Sequence, residues 1–312
     1  MPGLGETTAT IRRYRAAIAA AKAAAPGPGE RRLVETKAFG ANPGRLRMLS
    51  YAPQGLERPA LVVVLHGCTQ TAEGYQHGAG WGTLADRYGF VLLCPEQRLT
   101  NNPNRCFNWF TPDDTRRDSG EAASIRQMID RAIDLYGVDP DRIYVTGLSA
   151  GGAMTATLLA VYPEVFAGGA IIAGLPHGAA ANVQEAFGAM MQPQSRASSA
   201  WGDLVRAASP GPATHRGWPA VSVWHGDADA TVVVANADEI VKQWRDVHGL
   251  TATAPAEMDQ DGAWRSQVWR GEDGKALVSS YTITGMGHGA PLATDGEDGV
   301  GTARSEEHTS EL

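Results

Sequence analysis

The stretch VTGLSAGGAM, residues 145–154, places one serine between two glycines, after a β-branched run and before a run of small residues. The residues before the serine favour a strand, and those from Gly151 onwards favour a helix. Gly147 and Gly151 leave room for a sharp turn between the two elements. This context predicts that Ser149 is held at a turn above the end of a strand, where a serine can act as a nucleophile. A serine in a tight turn without chemistry is the alternative.

Outward from this turn, extended segments alternate with helical ones. Continuous apolar runs such as ALVVVL (60–65) suit strands buried on both faces. We predict helices at about 76–88, 118–137, 151–162 and 235–247, with Asp118 or Ser119 capping the second and Gly137 ending it. We predict strands at 33–38, 45–51, 60–66, 89–94, 142–148, 167–173, 219–225 and 277–283.

This alternation predicts an α/β fold with a mainly parallel central sheet of about eight strands and helices on both faces. The first two strands precede any strong helical pattern, so we expect them to form an antiparallel edge. Residues 178–216 have no firm period, and we interpret them as an excursion over the strand ends that forms a wall of the site.

The domain organisation that we expect is a single catalytic domain over residues 31–303. Residues 1–30 are interpreted as a helical or flexible segment before it. The last nine residues, RSEEHTSEL (304–312), match the translation of a widely used sequencing adapter. Our hypothesis is that this tail is not native and that the native carboxyl terminus is lost.

Composition narrows the classes of partner. The 312 residues carry 27 Lys and Arg against 34 Asp and Glu, a formal net charge of −7, which argues against binding to nucleic acid or an anionic membrane surface. No apolar run approaches the roughly 20 residues of a membrane-spanning helix. The three cysteines form no CxxC pair, which argues against a structural zinc site. The composition favours a neutral substrate and does not reveal an oligomeric state.

A serine nucleophile needs a base within hydrogen-bond reach and a group that orients the base. The stretch WHGDADATV (224–232) places Asp227 and Asp229 after a predicted strand, and TGMGHGAP (284–291) places His288 after another. The carboxyl ends of parallel strands are where open α/β sheets build their sites. We therefore predict His288 as the base, while these residues alone leave Asp227 and Asp229 as equal candidates for the acid.

An oxyanion hole is predicted from a third strand end. The stretch LVVVLHGCTQT (61–71) places His66, Gly67 and Cys68 directly after a strand. We assign the two donors to the backbone N–H groups of Cys68 and Ala150, the residue after the serine. Gly67 would let the backbone approach the substrate closely.

Together these stretches resemble the esterases related to extracellular poly(3-hydroxybutyrate) depolymerases, a branch of the α/β-hydrolases that is also similar to feruloyl and acetylxylan esterases. The resemblance covers about residues 38–291. The matching stretches are FGANPGRLRM, VVLHGCTQT, GWGTLADRYGF, PEQ, NPNRCFNWF, DSGEAASI, YVTGLSAGGAM, HGDADATV and GMGHGAP.

The resemblance implies specific roles. It implies Ser149 as nucleophile, His288 as base and Asp229, rather than Asp227, as acid. It further implies a disulfide between Cys68 and Cys106, with Cys94 free; buried free thiols are the alternative for a cytoplasmic protein. The NPNRCFNWF loop, with Asn108 and Trp109, is the candidate substrate contact together with Gly67. The family's location implies an extracellular protein. The resemblance departs after the His288 loop, where the family would have a further segment and a closing helix.

The function that we predict is a serine carboxylic-ester hydrolase that acts on short-chain polyhydroxyalkanoate polymer or oligomers, with no metal or organic cofactor. One alternative is the same chemistry on feruloyl or acetyl esters of plant polysaccharide. A non-catalytic module that binds polymer or carbohydrate is an alternative from another class.

Overall fold

The computed structural model describes residues 32–211, 217–260 and 262–292. The segments expected at 1–30 and 304–312 lie outside these residues, as does most of the region expected to follow the His288 loop. Ten strands are present in the described chain: β1 (Val34–Thr36), β2 (Arg47–Tyr51), β3 (Ala60–Leu65), β4 (Phe90–Glu96), β5 (Ile143–Leu148), β6 (Gly168–Ile172), β7 (Ala220–Gly226), β8 (Glu257–Gln260), β9 (Trp264–Arg270) and β10 (Ala276–Ile283).

Eight helices accompany the strands within the same residues. They are α1 (Ala72–Gly78), α2 (Trp81–Tyr88), α3 (Pro112–Thr115), α4 (Gly120–Tyr136), α5 (Ala150–Val161), α6 (Val183–Met191), α7 (Ser198–Ala208) and α8 (Ala235–Val247). None of the described helices is long and apolar enough to span a membrane.

The strands form one sheet in the order β1-β2-β4-β3-β5-β6-β7-β10-β9-β8. The six inner strands, from β4 to β10, run parallel to one another. Two antiparallel strands extend the sheet at each edge, β1 and β2 on one side and β9 and β8 on the other. The α/β class and the antiparallel first edge are confirmed, whereas the expected count of about eight strands is wrong.

The two strands missing from the prediction form the far edge. All four residues of β8 are exposed, and β9 has only three buried residues out of seven. A strand that faces solvent does not need the apolar run or the regular alternation by which the other eight were recognised. Its polar sequence therefore resembles a loop.

Helices cover the sheet on both faces, because successive residues of a strand point to opposite sides. In β3, Leu61, Val63 and Leu65 pack in the larger core cluster with α4, α5 and α8. Val64, between two of them, packs in a smaller cluster with α1 and α2. This arrangement leaves the carboxyl ends of the parallel strands free at one edge of the layers.

Several helix boundaries differ from the prediction. The helix expected at 76–88 is two helices, separated where Gly80 adopts a left-handed conformation with φ of 71°. Helix α4 begins after Ser119 and ends at Gly137, as expected, but the Ser119 hydroxyl donates to the Asp113 carbonyl and caps no helix N–H. The Asp114 carboxylate accepts the Glu121 N–H instead, at 3.2 Å.

The excursion between β6 and β7 contains helices α6 and α7, which the sequence patterns above do not predict. The Asn182 side chain caps α6 by accepting the Glu185 N–H at 2.9 Å. Asparagine followed three residues later by glutamate is a helix-start signal, and the sequence contains this signal.

Candidate active site

Ser149 lies at the turn between β5 and α5. Its backbone has φ of 57° and ψ of −116°, a conformation that residues other than glycine rarely adopt. A Cβ at Gly151 would lie 2.3 Å from the Leu65 carbonyl oxygen, and one at Gly147 would lie 2.4 Å from the Gly151 carbonyl oxygen. The two glycines are therefore required by close backbone approach, as the motif predicted.

His288 and Asp229 meet beside this turn. His288 Nδ1 lies 2.8 Å from Asp229 Oδ2, and both side chains are buried. His288 follows β10, Asp229 follows β7, and Ser149 follows β5, so the fold brings together three strand ends that are distant in sequence. Ser149 and His288 line the same pocket.

The other aspartate of the HGDADATV stretch has a different environment. Asp227 is exposed and its Oδ1 accepts the Gly285 N–H at 2.7 Å. It thereby fixes the start of the loop that carries His288. Of the two candidates, Asp229 is the one in contact with the imidazole.

Asp229 is held in its ionised form by its neighbours. Burial acts to raise its pKa, but hydrogen bonds from His225 and His288 and from the Val232 N–H outweigh burial and lower the pKa well below the usual range. Asp229 Oδ1 accepts the N–H groups of Thr231 and Val232, each at 2.9 Å. The carboxylate is thus fixed from two directions and remains negative at neutral pH.

His225, the histidine of the WHGDADATV stretch, also contacts Asp229. Its side chain is fully buried, and its Nε2 lies 2.7 Å from the Val232 carbonyl oxygen and 3.2 Å from Asp229 Oδ2. Nε2 therefore carries a proton and faces the carboxylate. A histidine four residues before the acid was the only signal for this contact.

The loop after β3 faces Ser149 from the other side. Gly67 and Cys68 line the pocket with Ser149 and His288. Ala150 is the first residue of α5, and the first N–H groups of a helix have no acceptor within it. A Cβ at Gly67 would lie 3.1 Å from the Gln70 amide oxygen, so space at this position is tight.

Cys68 and Cys106 form a disulfide, and Cys94 is buried and free. The bond joins the loop after β3 to the loop 102–110, which follows β4. The Thr69 N–H donates to the Asn104 carbonyl at 2.6 Å and adds a second link between the two loops. The covalent link agrees with the implied pairing.

The two candidate substrate contacts on loop 102–110 differ in where their side chains lie. Trp109 lines the pocket and is 7% exposed. Asn108 does not line the pocket, because its Nδ2 donates to Glu121 Oε1 at 2.8 Å and its Oδ1 accepts from Asn102 at 2.9 Å. Both ends of its amide hold the loop, which argues against the predicted contact of Asn108 with substrate.

Glu121 is the centre of a buried polar cluster behind this loop. Its carboxylate accepts the N–H and Nδ2 of Asn108, each at 2.8 Å, and also the side-chain amide of Gln97. The same Gln97 amide donates to the Cys106 carbonyl at 3.0 Å. The cluster joins the PEQ, NRCFNWF and GEAASI stretches, so the loop that bears Trp109 is fixed from behind.

The charge state of Glu121 is perturbed by its position. Burial, with a contribution from the negative charge of Asp114, raises its pKa to about 8, against the opposing effect of the hydrogen bonds from Asn108 and Gln97. A carboxyl group in such surroundings is protonated over most of the neutral range.

The pocket above Ser149 has a volume of about 260 Å³. His288 is the one titratable side chain among the described lining residues. Polar contributions come from Thr69, Asn102, Asn104 and Thr231. The apolar walls are formed by Pro103, Trp109, Phe110, Leu148, Val183, Ala186, Phe187 and Met190.

The sheet order, with a serine at a strained strand–helix turn, defines an α/β-hydrolase fold. A solved acetyl xylan esterase from Aspergillus awamori is similar, with a TM-score of 0.76 and 26% identity over 88% of this chain and 99% of that one. The model of the esterase PHB depolymerase family matches residues 47–269. The chain belongs to that family.

Two curated proteins are similar to this chain in sequence. A poly(3-hydroxyalkanoate) depolymerase C from Paucimonas lemoignei is 45% identical over 83% of this chain and 62% of its own length. A feruloyl esterase B from Neurospora crassa is 36% identical over 81% of this chain and 86% of its own length. The chain thus spans less than two thirds of the depolymerase and most of the feruloyl esterase.

Proposed function

We propose that the protein is a serine carboxylic-ester hydrolase that acts on short-chain polyhydroxyalkanoate polymer or oligomers. The observation that carries this proposal is the contact of 2.8 Å between His288 Nδ1 and Asp229 Oδ2, at the pocket that Ser149 also lines. An imidazole oriented by an ionised carboxylate is the base that a serine hydroxyl requires.

In the proposed reaction, His288 Nε2 takes the proton of Ser149 Oγ as the oxygen attacks the ester carbonyl. Among the described residues no hydrogen bond joins these two side chains, and such a contact commonly tightens only when substrate is bound. The imidazolium then gives its proton to the leaving alkoxide, which departs as an alcohol. Water, activated by the same imidazole, hydrolyses the acyl-enzyme and restores Ser149.

The tetrahedral intermediates carry a negative oxygen that needs donors. The N–H of Ala150, at the amino terminus of α5, and the N–H of Cys68 are the assigned pair. Loss of one such donor costs about 3–4 kcal/mol of transition-state stabilisation in a studied protease. The disulfide and the Thr69 hydrogen bond support this role, because they limit the movement of the loop that carries Cys68.

The choice of a polyester over other esters is supported by the depolymerase relative and by the pocket walls. The walls are mainly apolar, and a polyhydroxyalkanoate offers ester groups and alkyl side groups but few hydrogen-bond donors. The related feruloyl and acetyl xylan esterases make plant polysaccharide esters the second candidate. An extracellular location is supported by the disulfide, which is typical of oxidising compartments.

The test measures three substrates side by side: amorphous poly(3-hydroxybutyrate), a soluble butyrate ester and acetylated xylan, with Ser149→Ala as control. We expect release of 3-hydroxybutyrate or its oligomers, lost in the variant. Turnover of the soluble ester and xylan without the polymer would move the substrate to polysaccharide esters.

A separate assay distinguishes a catalytic protein from a binding module. An activated serine should react with a fluorophosphonate, and the label should be absent from Ser149→Ala. A folded protein that neither reacts with the probe nor turns over any of the three substrates would contradict the catalytic proposal.

A further inference from the structure

Helix α6 exposes a row of large apolar side chains. Val183 is 53% exposed, Phe187 57% and Met191 46%. Their spacing of four residues places them along one side of the helix. Single exposed apolar residues are ordinary, whereas a contiguous row marks an interaction surface. We call these three residues the α6 ridge.

The α6 ridge is continuous with the pocket. Val183 and Phe187 line the same pocket as Ser149, and Met190 lines it from the last turn of the helix. Met191 extends the apolar surface beyond the pocket. A long ligand that extends out of the pocket can therefore remain in contact with apolar side chains along α6.

The opposite side of α6 is fixed to the protein. Ala186 and Ala189 are buried in a cluster that includes Trp109 and Ala150. Asn236 Nδ2 donates to the Ala189 carbonyl at 3.1 Å, and the Val233 N–H donates to the Met190 carbonyl at 2.9 Å. Because α6 is fixed in this way, the ridge loses little conformational entropy when it binds.

The charge of α6 indicates the chemistry of its occupant. Glu185 is the one charged residue of the helix. Its carboxylate accepts the Ala181 N–H at 2.9 Å and the Asn182 Nδ2 at 2.8 Å, so it is engaged at the amino terminus of the helix itself. The ridge thus offers apolar area without charge, which matches a neutral, hydrophobic material.

We propose that the α6 ridge docks the protein onto the surface of a solid, hydrophobic polyester and holds chain segments beyond the ester that Ser149 attacks. This proposal rests on the proposed ester hydrolysis and deepens it, because it assigns the contact with bulk polymer to one helix. Soluble short esters fit within the pocket and do not need contact with Met191.

The test measures adsorption without turnover. Ser149→Ala protein is titrated onto amorphous poly(3-hydroxybutyrate) particles, with and without the added changes Phe187→Ser and Met191→Ser. Tyr88→Ser and Leu135→Ser, at residues 65% and 41% exposed on α2 and α4, form the matched control. We expect adsorption to weaken about tenfold or more in the ridge variant and less than about twofold in the control. Equal adsorption of all three proteins would overturn the proposal.

Further measurements distinguish contact with a polyester from contact with lipid or with a second copy of the chain. Hydrolysis of a soluble butyrate ester by the protein with Ser149 intact tests the proposed function alone; its absence would contradict that function while the adsorption result stands. Binding of the parent to phosphatidylcholine vesicles with the same dependence on the ridge would overturn the polyester assignment in favour of a lipid surface. A change of oligomeric state in the ridge variant, measured by sedimentation, would overturn it in favour of contact between copies.

Discussion

At the scale of single residues, Asp227 and Asp229 provide a matched pair. Both follow β7, but Asp229 is buried against His288, whereas Asp227 is exposed and accepts a backbone N–H. Asp229→Asn removes the charge that stabilises a protonated imidazole, so we expect kcat on a soluble butyrate ester to fall on the order of a thousandfold or more. Asp227→Asn keeps its acceptor oxygen and should change kcat less than about threefold. Similar losses in both variants would refute the assignment.

Glu121 predicts how stability depends on pH. Its pKa is raised from 4.5 to about 8, so between these values the folded protein keeps a proton that the unfolded chain has lost. Its contribution to stability is complete below pH 4.5 and is lost as pH rises through 8, by about 1.4 kcal/mol per pH unit at most. Glu121→Gln cannot titrate.

The measurement is urea unfolding of both proteins from pH 5 to pH 8. We expect the free energy of unfolding of the parent to fall with pH relative to Glu121→Gln. Glu57→Gln, at an exposed position, is the control and should follow the parent. A constant difference between the parent and Glu121→Gln over this range would contradict the shifted pKa.

At the scale of elements, the turn between β5 and α5 depends on backbone contact. A Cβ at Gly151 would lie 2.3 Å from the Leu65 carbonyl oxygen, whereas one at Gly188, within α6, would meet nothing within 4 Å. Gly151→Ala should therefore lower the melting temperature and abolish activity, because the strand and the turn must separate. Gly188→Ala should be neutral or stabilise by up to about 1 kcal/mol, since alanine is the better helix former. Thermal unfolding that ranks the two variants in the opposite order would exclude this role of the glycine.

The disulfide predicts a second effect at this scale. It closes a loop with a sequence separation of 38 residues, for which the chain-entropy model gives about 4 kcal/mol. We expect Cys68→Ala with Cys106→Ala to be less stable by up to that amount in urea. A reductant should destabilise the parent and leave the double variant unchanged. Equal sensitivity of both proteins would assign the effect of the reductant to another cause.

The sequence predicted some elements better than others for physical reasons. Buried parallel strands have continuous apolar runs, and the turn that carries Ser149 has its glycines adjacent in sequence, so both are readable locally. Strands β8 and β9 form a solvent-facing edge and lack that signal. Helix α6 had a start signal at Asn182, but it lay in a region with no apolar period.

In the candidate site, too, some features could be predicted from local sequence and others could not. Ser149, His288 and the two aspartates each follow a predicted strand, and strand ends converge by topology. The contacts of Glu121 with Gln97 and Asn108 join three separate segments, so no local pattern could reveal them. The resemblance predicts a substrate contact for Asn108, and no local pattern reveals that its amide faces Glu121.

At the scale of the whole molecule, net charge and the α6 ridge together predict a salt dependence. The chain carries a formal charge of −7, and the ridge is uncharged. Salt screens repulsion between the protein and any acidic end groups of a polyester, and it does not weaken apolar contact. Adsorption of Ser149→Ala protein to polymer particles should therefore hold or strengthen as NaCl rises from about 0.05 to about 0.5 M, a range over which the screening length shortens roughly threefold. A steep decrease, measured by depletion from solution, would indicate a charged contact instead.

The crossover from β6 to β7 carries α6 and part of the pocket wall, while Ser149, Asp229 and His288 follow the ends of β5, β7 and β10. The exposed row of α6 can therefore change in evolution while the buried side of the helix, which packs against Ala150, is kept. A lineage in which polar side chains replace this apolar row would keep the reaction and act on different substrates. Grafting such a segment between relatives is the corresponding route for an engineer who wishes to redirect the enzyme.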